Sequence, residues 1–225
     1  MGYEKRTIEL LLYMICHDIK NINQVSLGYL ELLLADKNLD EKQRQYGEKI
    51  LKAFQSSTKL IQKVEKIMQA GAFKFQLVDL NSILKETIEE FPIPPLKEVE
   101  INYQPRENLI VNSSPLLKDV FANLIDNAIK HSGKNRVKID ISIEDYIWRN
   151  KQYYKIAFED DGKGIPDDLK KELLNSTKKP KGLGLYLVRT IVEKTGGEVW
   201  IEDRVKGEPE KGARIVVILP KLASS

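Results

Sequence analysis

The chain has 225 residues, enough to bury a core, and its 42% hydrophobic and 31% charged content excludes a disordered protein. The net charge of +3 argues against nucleic-acid binding, and a single cysteine, Cys16, excludes an internal disulfide and a multi-cysteine metal site and favours a reducing compartment. No apolar run reaches the roughly 20 residues that span a bilayer, so we expect a cytoplasmic chain, or the cytoplasmic portion of a longer protein, without membrane contact of its own.

The first predicted element is a long helix with a heptad seam. Residues recur in alternating steps of four and three, apolar except for one serine, at Ile8, Leu12, Ile15, Ile19, Ile22, Ser26, Tyr29 and Leu33. Leu11, Val25 and Leu32 widen this stripe beyond what a two-stranded coiled coil needs. The pattern therefore favours a four-helix arrangement.

A second helix follows a short connection. Asp40 is a suitable N-cap, and Gln43 stands three residues later. The same rhythm then runs through Tyr46, Ile50, Ala53, Ser57, Leu60, Val64 and Ile67, reinforced by Phe54, Ile61 and Met68. Two helices cannot bury both stripes alone, so we predict that residues 1–72 form an antiparallel hairpin that pairs with a second copy in a homodimeric four-helix bundle.

His17 occupies a position of this seam that faces away from the core. With Leu12 at a and Ile15 at d, His17 takes position f and should be exposed. Asn21 lies one turn later on the same face, and Asp18 is the direct neighbour of the histidine. A histidine at such a position is usually only a solvated surface residue, so a chemical role depends on the motifs that follow.

The second half, residues 73–225, mixes strand-like and helical segments. Strands are predicted near residues 75–78, 99–103, 109–111, 136–143, 154–160, 198–201 and 214–219, and helices near 80–91, 115–131 and 182–195. This order predicts an α/β sandwich with a mixed sheet rather than a doubly wound fold. The whole chain is thus expected to be an α+β protein with an N-terminal helical hairpin.

The helix after Pro115 carries a polar stripe beside its apolar one. Asn123, Asn127 and Lys130 follow at i, i+4 and i+7, and His131 ends the stripe. An amide oxygen can ligate Mg²⁺, and a lysine one turn on can neutralise phosphate oxygens. Taken alone, such a stripe more often simply faces water.

Two glycine motifs complete the set. The first, residues 160–166, places the Asp160 carboxylate at a strand end, where it can accept a hydrogen bond from an amine such as that of adenine. Gly162 and Gly164 allow close approach of the backbone to a ligand. The second, residues 182–185, opens a helix whose free N–H groups suit phosphates. Alone, the first motif is also typical of a plain turn.

The segment between the two glycine motifs, residues 167–181, has few apolar anchors, and lysines crowd its end at Lys178, Lys179 and Lys181. We interpret it as a mobile lid over a nucleotide, although a charge run is more often a solvated loop.

In order and spacing these motifs resemble the H, N, G1 and G2 boxes of sensor histidine kinases of two-component systems, over nearly the entire chain. The second half resembles their catalytic ATP-binding domain, a fold shared with gyrase B, the Hsp90 chaperones and MutL. The hairpin resembles their dimerization and histidine-phosphotransfer domain. The resemblance implies ATP and Mg²⁺ as cofactors, a homodimer, and the receiver domain of a response regulator as partner.

The resemblance also implies roles for single residues. His17 is then the phosphoacceptor and Asp18 the acid beside it, while Asp160 anchors adenine. The metal and phosphate contacts are Asn127 and Asn123, and the remaining nucleotide-binding residues are Lys130, His131, Gly162, Gly164, Lys181, Gly182, Leu183 and Gly184. Asn21 corresponds to the residue that orients water for dephosphorylating the partner, so a bifunctional kinase and phosphatase is expected.

The sequence departs from the family pattern at several positions. Ile22 replaces the usual proline after the histidine, Ser114 a common aspartate, and His131 a residue that is often aromatic. Asn123 stands where related ATPases carry a water-activating glutamate, so hydrolysis should be slow. Two alternatives stay open: a degenerate kinase that binds ATP or a regulator without phosphotransfer, and an ATP-hydrolysing clamp, which the hairpin and the missing glutamate disfavour.

Overall fold

The computed structural model describes residues 2–69, 74–173 and 182–222. The chain divides into two compact units, Met1–Gly71 and Ala72–Ser225. The first contains two long helices, α1 (Gly2–Ala35) and α2 (Glu41–Gln69), which pack on one another as a hairpin. No helix in the described ranges is long and apolar enough to cross a membrane.

The connection between α1 and α2 is held by side-chain caps. Asp40 accepts a hydrogen bond from the N–H of Gln43 at 2.7 Å, and Gln43 accepts one from the N–H of Asp40 at 3.0 Å, which confirms the predicted start of the second helix. Arg44 donates to the carbonyls of Leu34 and Asp36 at 3.2 and 3.3 Å, so the otherwise unpaired end of α1 is also satisfied.

Within the hairpin, α2 covers a different face of α1 from the predicted seam. Cys16, Asn23 and Leu30 are buried, and each follows a seam residue by one position. Asn23 Nδ2 donates to Ser57 Oγ at 2.9 Å, which places this row against α2. The seam itself stays open in the single chain, where Ile22 is 63% exposed. The two helices therefore pair through the row beside the seam.

The second unit is an α/β sandwich. Its elements are β1 (Gln76–Asp79), α3 (Leu80–Glu89), β2 (Glu98–Tyr103), β3 (Ile110–Ser113), α4 (Leu117–His131), β4 (Arg136–Trp148), β5 (Lys151–Asp160), α5 (Asp167–Leu173), α6 (Leu183–Lys194), β6 (Glu198–Val205) and β7 (Glu208–Pro220). Five strands form one sheet in the order β2-β4-β5-β7-β6, and β1 pairs with β3. Only the β2–β4 pair of these strands is parallel. The predicted α+β class with a mixed sheet is confirmed.

The core lies between the large sheet and helices α4 and α6. Phe121 of α4 is fully buried, and its ring lies 5.7 Å from that of Phe158 on β5. Leu187 and Ile191 of α6 are buried as well, and α6 contacts α4 directly. Because both helices are fixed by apolar packing, the polar residues at their ends have defined positions relative to the sheet.

Two elements differ from their predicted extents. The strand predicted to end at Ile143 continues to Trp148, and its partner begins at Lys151, so the two form a long hairpin. The turn residues Arg149 and Asn150 both have positive φ, as a two-residue hairpin turn requires. The first part of the predicted lid is the short helix α5, and residues 174–181 of the lid lie outside the described residues.

Candidate nucleotide and phosphoacceptor sites

A cavity of about 480 Å³ opens in the second unit where the end of β5 meets helices α4, α5 and α6 and strand β7. It is lined by Asn127, Ala128, His131, Asp160, Lys163, Gly164, Ile165, Pro166, Leu169, Leu173, Leu185, Ala213 and Ile215. Four residues predicted to bind nucleotide, Asn127, His131, Asp160 and Gly164, share this wall. Its mixture of apolar side chains with a few polar groups is typical of a small-molecule site.

Asp160 supplies the buried carboxylate of the cavity. It ends β5, is 9% exposed, and accepts a hydrogen bond from the N–H of Gly162 at 2.9 Å. Burial raises the pKa of Asp160, and the N–H groups of Gly162 and Ala213 only partly oppose that effect. A carboxylate in such surroundings gains from any ligand that donates a hydrogen bond to it.

The loop after Asp160 fits its neighbours because it contains glycine at two positions. Gly164 has a φ of +66°, and a Cβ there would lie 1.5 Å from the carbonyl oxygen of Pro209. A Cβ on Gly162 would lie 2.7 Å from the Cα of Ser132. The loop is therefore wedged between the end of α4 and the start of β7, which fixes the backbone beside the cavity.

Asn127 and Asn123 differ in their surroundings. Asn127 Nδ2 is buried and finds no hydrogen-bond partner among the residues that the structure describes. A buried amide of this kind requires a partner, and it can present its oxygen or its nitrogen because the amide group can rotate by half a turn. Asn123 Nδ2 instead donates to the carbonyl of Asp119 at 2.7 Å, and Asn123 is not part of the cavity wall.

The remaining predicted phosphate contacts lie at or beyond the edge of the cavity. The ammonium group of Lys130 pairs with Asp126 at 2.5 Å and is not in the wall. Gly182 is the N-cap of α6, followed by Leu183 and Gly184, and Leu185 in the same first turn does line the cavity. The free N–H groups of α6 are thus near it. Lys181 lies outside the described residues.

Several wall residues were not predicted from the sequence. Leu169 and Leu173 come from α5, where their i, i+4 spacing could have indicated one apolar face. Lys170 of the same helix pairs with Asp167 and Asp203, which ties α5 to β6. Ala213 and Ile215 reach the cavity through the pairing of β7 with β5, for which no local pattern exists.

His17, Asp18 and Asn21 lie together on the surface of α1. The His17 side chain is 57% exposed, as its f position predicts, and His17 Nδ1 lies 3.1 Å from Asp18 Oδ1. Asn21 Nδ2 is 3.4 Å from both ring nitrogens of His17. Next to them, burial and the charge of Glu65 raise the pKa of the Cys16 thiol, as expected of a packing residue.

The cavity suits a cation only if the ligand brings most of the coordination. Among the described residues, no group of three or more His, Cys, Asp or Glu side chains could hold a metal ion. Mg²⁺ that is bound to phosphates keeps waters and needs one or two protein ligands. The unpaired amide of Asn127 is compatible with such a role.

The second unit thus combines a mixed sheet, a carboxylate at the end of β5 and an asparagine on the facing helix around one cavity. Residues 112–223 match the histidine kinase-, DNA gyrase B- and HSP90-like ATPase family. The chain is 27% identical to the signal transduction histidine-protein kinase AtoS of Escherichia coli, covering 95% of this chain and 35% of AtoS. It is also 27% identical to the sensory kinase SasA of a Synechococcus strain, covering 94% and 56%. Residues 112–223 therefore form a domain of this ATPase family, and the chain as a whole is similar to histidine kinases, spanning from about a third to just over half of these two relatives.

Solved histidine kinases share the fold. Full-length ShkA in complex with AMPPNP has a TM-score of 0.69 at 20% identity, covering 96% of this chain and 46% of ShkA. The catalytic domain of ThkA has a TM-score of 0.51 at 27% identity, covering 68% and 100%. ThkA in complex with the response regulator TrrA has a TM-score of 0.58 at 23% identity, covering 98% and 64%.

The two neighbouring carboxyl groups at the end of β5 have opposite pKa shifts. Burial raises the pKa of Asp160. Burial would also raise the pKa of Asp161, but the N–H of Lys138 and the ammonium of Lys134 outweigh it, so the pKa of Asp161 is lowered. Ionisation of Asp160 therefore opposes folding of the empty domain, whereas ionisation of Asp161 favours it.

We expect opposite effects of pH on the stability of Asp160→Asn and Asp161→Asn. The wild-type free energy of unfolding falls as the pH rises from the unfolded-state pKa of 3.8 through the raised pKa of Asp160, so Asp160→Asn should gain stability relative to wild type as the pH rises above about 4. Ionised Asp161 stabilises the folded state above its unfolded-state pKa, and this stabilisation is lost as the pH falls through its lowered folded-state pKa. Asp161→Asn should therefore be less stable than the wild type at neutral pH and should approach it in acid. Urea unfolding from pH 3 to 8 measures both, and the same sign for the two variants would contradict the assignment.

Proposed function

We propose that this chain uses ATP to phosphorylate His17 and transfers the phosphoryl group to an aspartate in the receiver domain of a response regulator. The observation that carries the proposal is a cavity lined by the buried carboxylate of Asp160 and by the amide of Asn127, whose buried nitrogen has no hydrogen-bond partner among the described residues. The kinase names of the relatives and the regulator bound to ThkA support it.

The cavity offers complementary groups for each part of ATP. Asp160 accepts a hydrogen bond from the adenine amine, and the loop that contains Gly162 and Gly164 brings backbone close to the base. The phosphates suit the N-terminus of α6. Asn127 would hold Mg²⁺, with Asn123 as a second contact once it leaves the Asp119 carbonyl, and Lys130 reaches phosphate when it separates from Asp126. Bound Mg²⁺ would supply positive charge against the phosphates.

The contact between His17 and Asp18 selects the reactive nitrogen. With the proton on Nδ1, facing the Asp18 carboxylate, Nε2 carries the lone pair that attacks, and the Asn21 amide contacts this nitrogen only at 3.4 Å. A bond forms between Nε2 and the γ-phosphorus, the bond to the β,γ-bridging oxygen breaks, and ADP leaves with that electron pair. Asp18 stabilises the positive charge that develops on the ring and accepts the Nδ1 proton.

His17→Gln should abolish phosphorylation without weakening ATP binding, because His17 belongs to the hairpin and not to the cavity wall. With γ-labelled ATP and Mg²⁺, the wild type should carry an acid-labile, base-stable label, and the variant none. Asp160→Asn, as a control, should lose the label because ATP binding fails. A wild type that binds ATP yet takes up no label would favour the degenerate module instead.

We further propose that the hairpin, residues 1–72, dimerizes as a four-helix bundle and that residues 73–225 form the catalytic domain. Among the apolar residues of α1 that are more than half exposed, one set lies on a single stripe, namely Leu11, Ile15, Ile22, Val25, Tyr29 and Leu32. They follow heptad spacing, and Tyr46, Ile50 and Leu60 of α2 are exposed as well. A stripe of this length on a single chain is typical of an interface between copies.

The double variant Ile22→Glu with Val25→Glu should therefore be monomeric where the wild type sediments at twice the chain mass. Two charges in an apolar interface should raise the dimer dissociation constant about 100-fold or more. Gln24→Glu adds a charge at position f, outside the stripe, and should leave the dimer intact. A monomeric wild type at micromolar concentration would refute the bundle.

A phosphatase activity toward the regulator is also proposed, carried by Asn21. Its amide lies 3.4 Å from the ring nitrogens of His17, so a regulator aspartate that reaches His17 also comes near Asn21. An amide there can hold a water molecule for attack on the phosphorylated aspartate.

Asn21→Ala should slow dephosphorylation of the regulator about tenfold or more, because one positioning hydrogen bond is lost. Autophosphorylation should change less than about twofold, since Asp18 and His17 are untouched. Release of phosphate from the labelled regulator measures the first, and Gln24→Ala, one turn further along the same face, serves as the control. Equal loss of both activities in Asn21→Ala would contradict this proposal and would show that Asn21 instead supports the reactivity of His17.

A further inference from the structure

Lys97, which belongs to none of the motifs, holds the segment that follows α4. It directly precedes β2, and its own N–H bonds to the carbonyl of Pro94 at 3.0 Å. Its ammonium group donates to the carbonyls of Ile129 and Lys134 at 2.7 and 2.9 Å and to Ser132 Oγ at 3.2 Å. All three acceptors lie in the last turn of α4 or in the turn after it. One ammonium group thus connects the C-terminal end of α4 with the turn that follows it.

These acceptors favour a cationic donor because they lie at the C-terminal end of α4. The final carbonyls of a helix have no partner within it and form the negative end of the helix dipole, so an ammonium group there is favourable. Ser132 is 1% exposed, and its hydroxyl also bonds the carbonyl of Ile129 at 3.0 Å. Loss of the Lys97 charge would leave the carbonyls of Ile129 and Lys134 with the neutral hydroxyl of Ser132 as their shared donor, so the turn would be held less firmly and would be free to shift.

The turn at residues 132–134 in turn supports the loop after Asp160. The carbonyl of Ser132 accepts the N–H of Lys163 at 3.0 Å. Gly162 packs so closely on Ser132 that a Cβ would lie 2.7 Å from its Cα. Lys134 Nζ bonds both the carbonyl and the carboxylate of Asp161. A shift of the turn must therefore move this loop.

We infer that Lys97 is a positioning residue for adenine recognition, acting through the turn at residues 132–134 on Asp160 and Gly164. His131, directly before the turn, lines the same cavity and would move with it. The inference rests on the proposed binding of ATP. Lys97 itself lies outside the cavity wall and acts only through its partners.

The test measures base selectivity as well as affinity. ATP and GTP have the same phosphates. Guanine, however, has a carbonyl where adenine has the amine that donates a hydrogen bond to Asp160. Displacement of Asp160 should therefore weaken the binding of ATP more than that of GTP. Lys97→Met keeps the aliphatic stem and removes the charge, whereas Lys97→Arg keeps a donor. Lys118→Met is the matched control, because Lys118 starts the same helix and its ammonium bonds Glu86 and Glu90, both at 2.6 Å, away from the cavity.

Calorimetric titration of the full chain with each nucleotide and Mg²⁺, together with urea unfolding, gives the readout. Lys97→Met should lower the affinity for ATP about tenfold and the affinity for GTP less than about threefold, so that the ratio of the ATP affinity to the GTP affinity falls. Lys97→Arg should restore most of the ratio, and Lys118→Met should lower stability with the ratio unchanged. Should Lys97→Met fail to fold, Ser132→Ala removes one acceptor and should shift the ratio in the same direction by a smaller factor.

The possible outcomes separate this inference from the proposed function. An unchanged ATP to GTP ratio in Lys97→Met, with only a lower unfolding midpoint, would show that Lys97 merely stabilises the fold. The same holds for an unchanged ratio in Ser132→Ala. A wild-type chain that binds neither nucleotide would overturn the proposed function and this inference together.

Discussion

The buried carboxylate of Asp160 is the group around which the second unit is arranged. A charge that leaves water is costly unless donors replace its hydration, and here the donors are mainly backbone N–H groups. The N–H of Gly162 is available because the loop after β5 fits closely between α4 and β7, and the N–H of Ala213 comes from β7 itself. Ionisation of Asp160 is therefore unfavourable in the empty domain, and a ligand that donates a hydrogen bond to the carboxylate relieves this cost. Stability of the empty domain and affinity for a ligand are in opposition at this residue.

The helical hairpin divides the surface of α1 between two uses. The row of Cys16, Asn23 and Leu30 is buried against α2, while the row one residue earlier stays open. The bond between Asn23 and Ser57 is a part-buried polar contact between the two helices, and such contacts fix the relative register of two helices. Since His17 lies on a third side, its imidazole remains accessible whichever of the two apolar rows is covered.

Local periodicity predicted where the candidate residues lie: Asn127 lines the cavity, His17 is exposed as its heptad position predicts, and Asp160 ends a strand. Their proposed roles come from the resemblance to histidine kinases. Ionic partners were less predictable: Lys130 pairs with Asp126, four residues before it, although the stripe favoured a phosphate. Lys97 could not be predicted, because its acceptors lie 32 to 37 residues further along the chain and come close only after β2 has joined the sheet.

The parallel pairing of β2 with β4 limits how this chain can change. Parallel neighbours cannot be joined by a tight turn, so the chain leaves β2 at Tyr103 and returns at Arg136 only after β3 and α4 have been laid down. The helix that carries Asn127 is thus also the crossover that closes this edge of the sheet. A substitution in α4 can therefore affect both the wall of the cavity and the formation of the sheet during folding. Only residues that are compatible with both can replace the present ones.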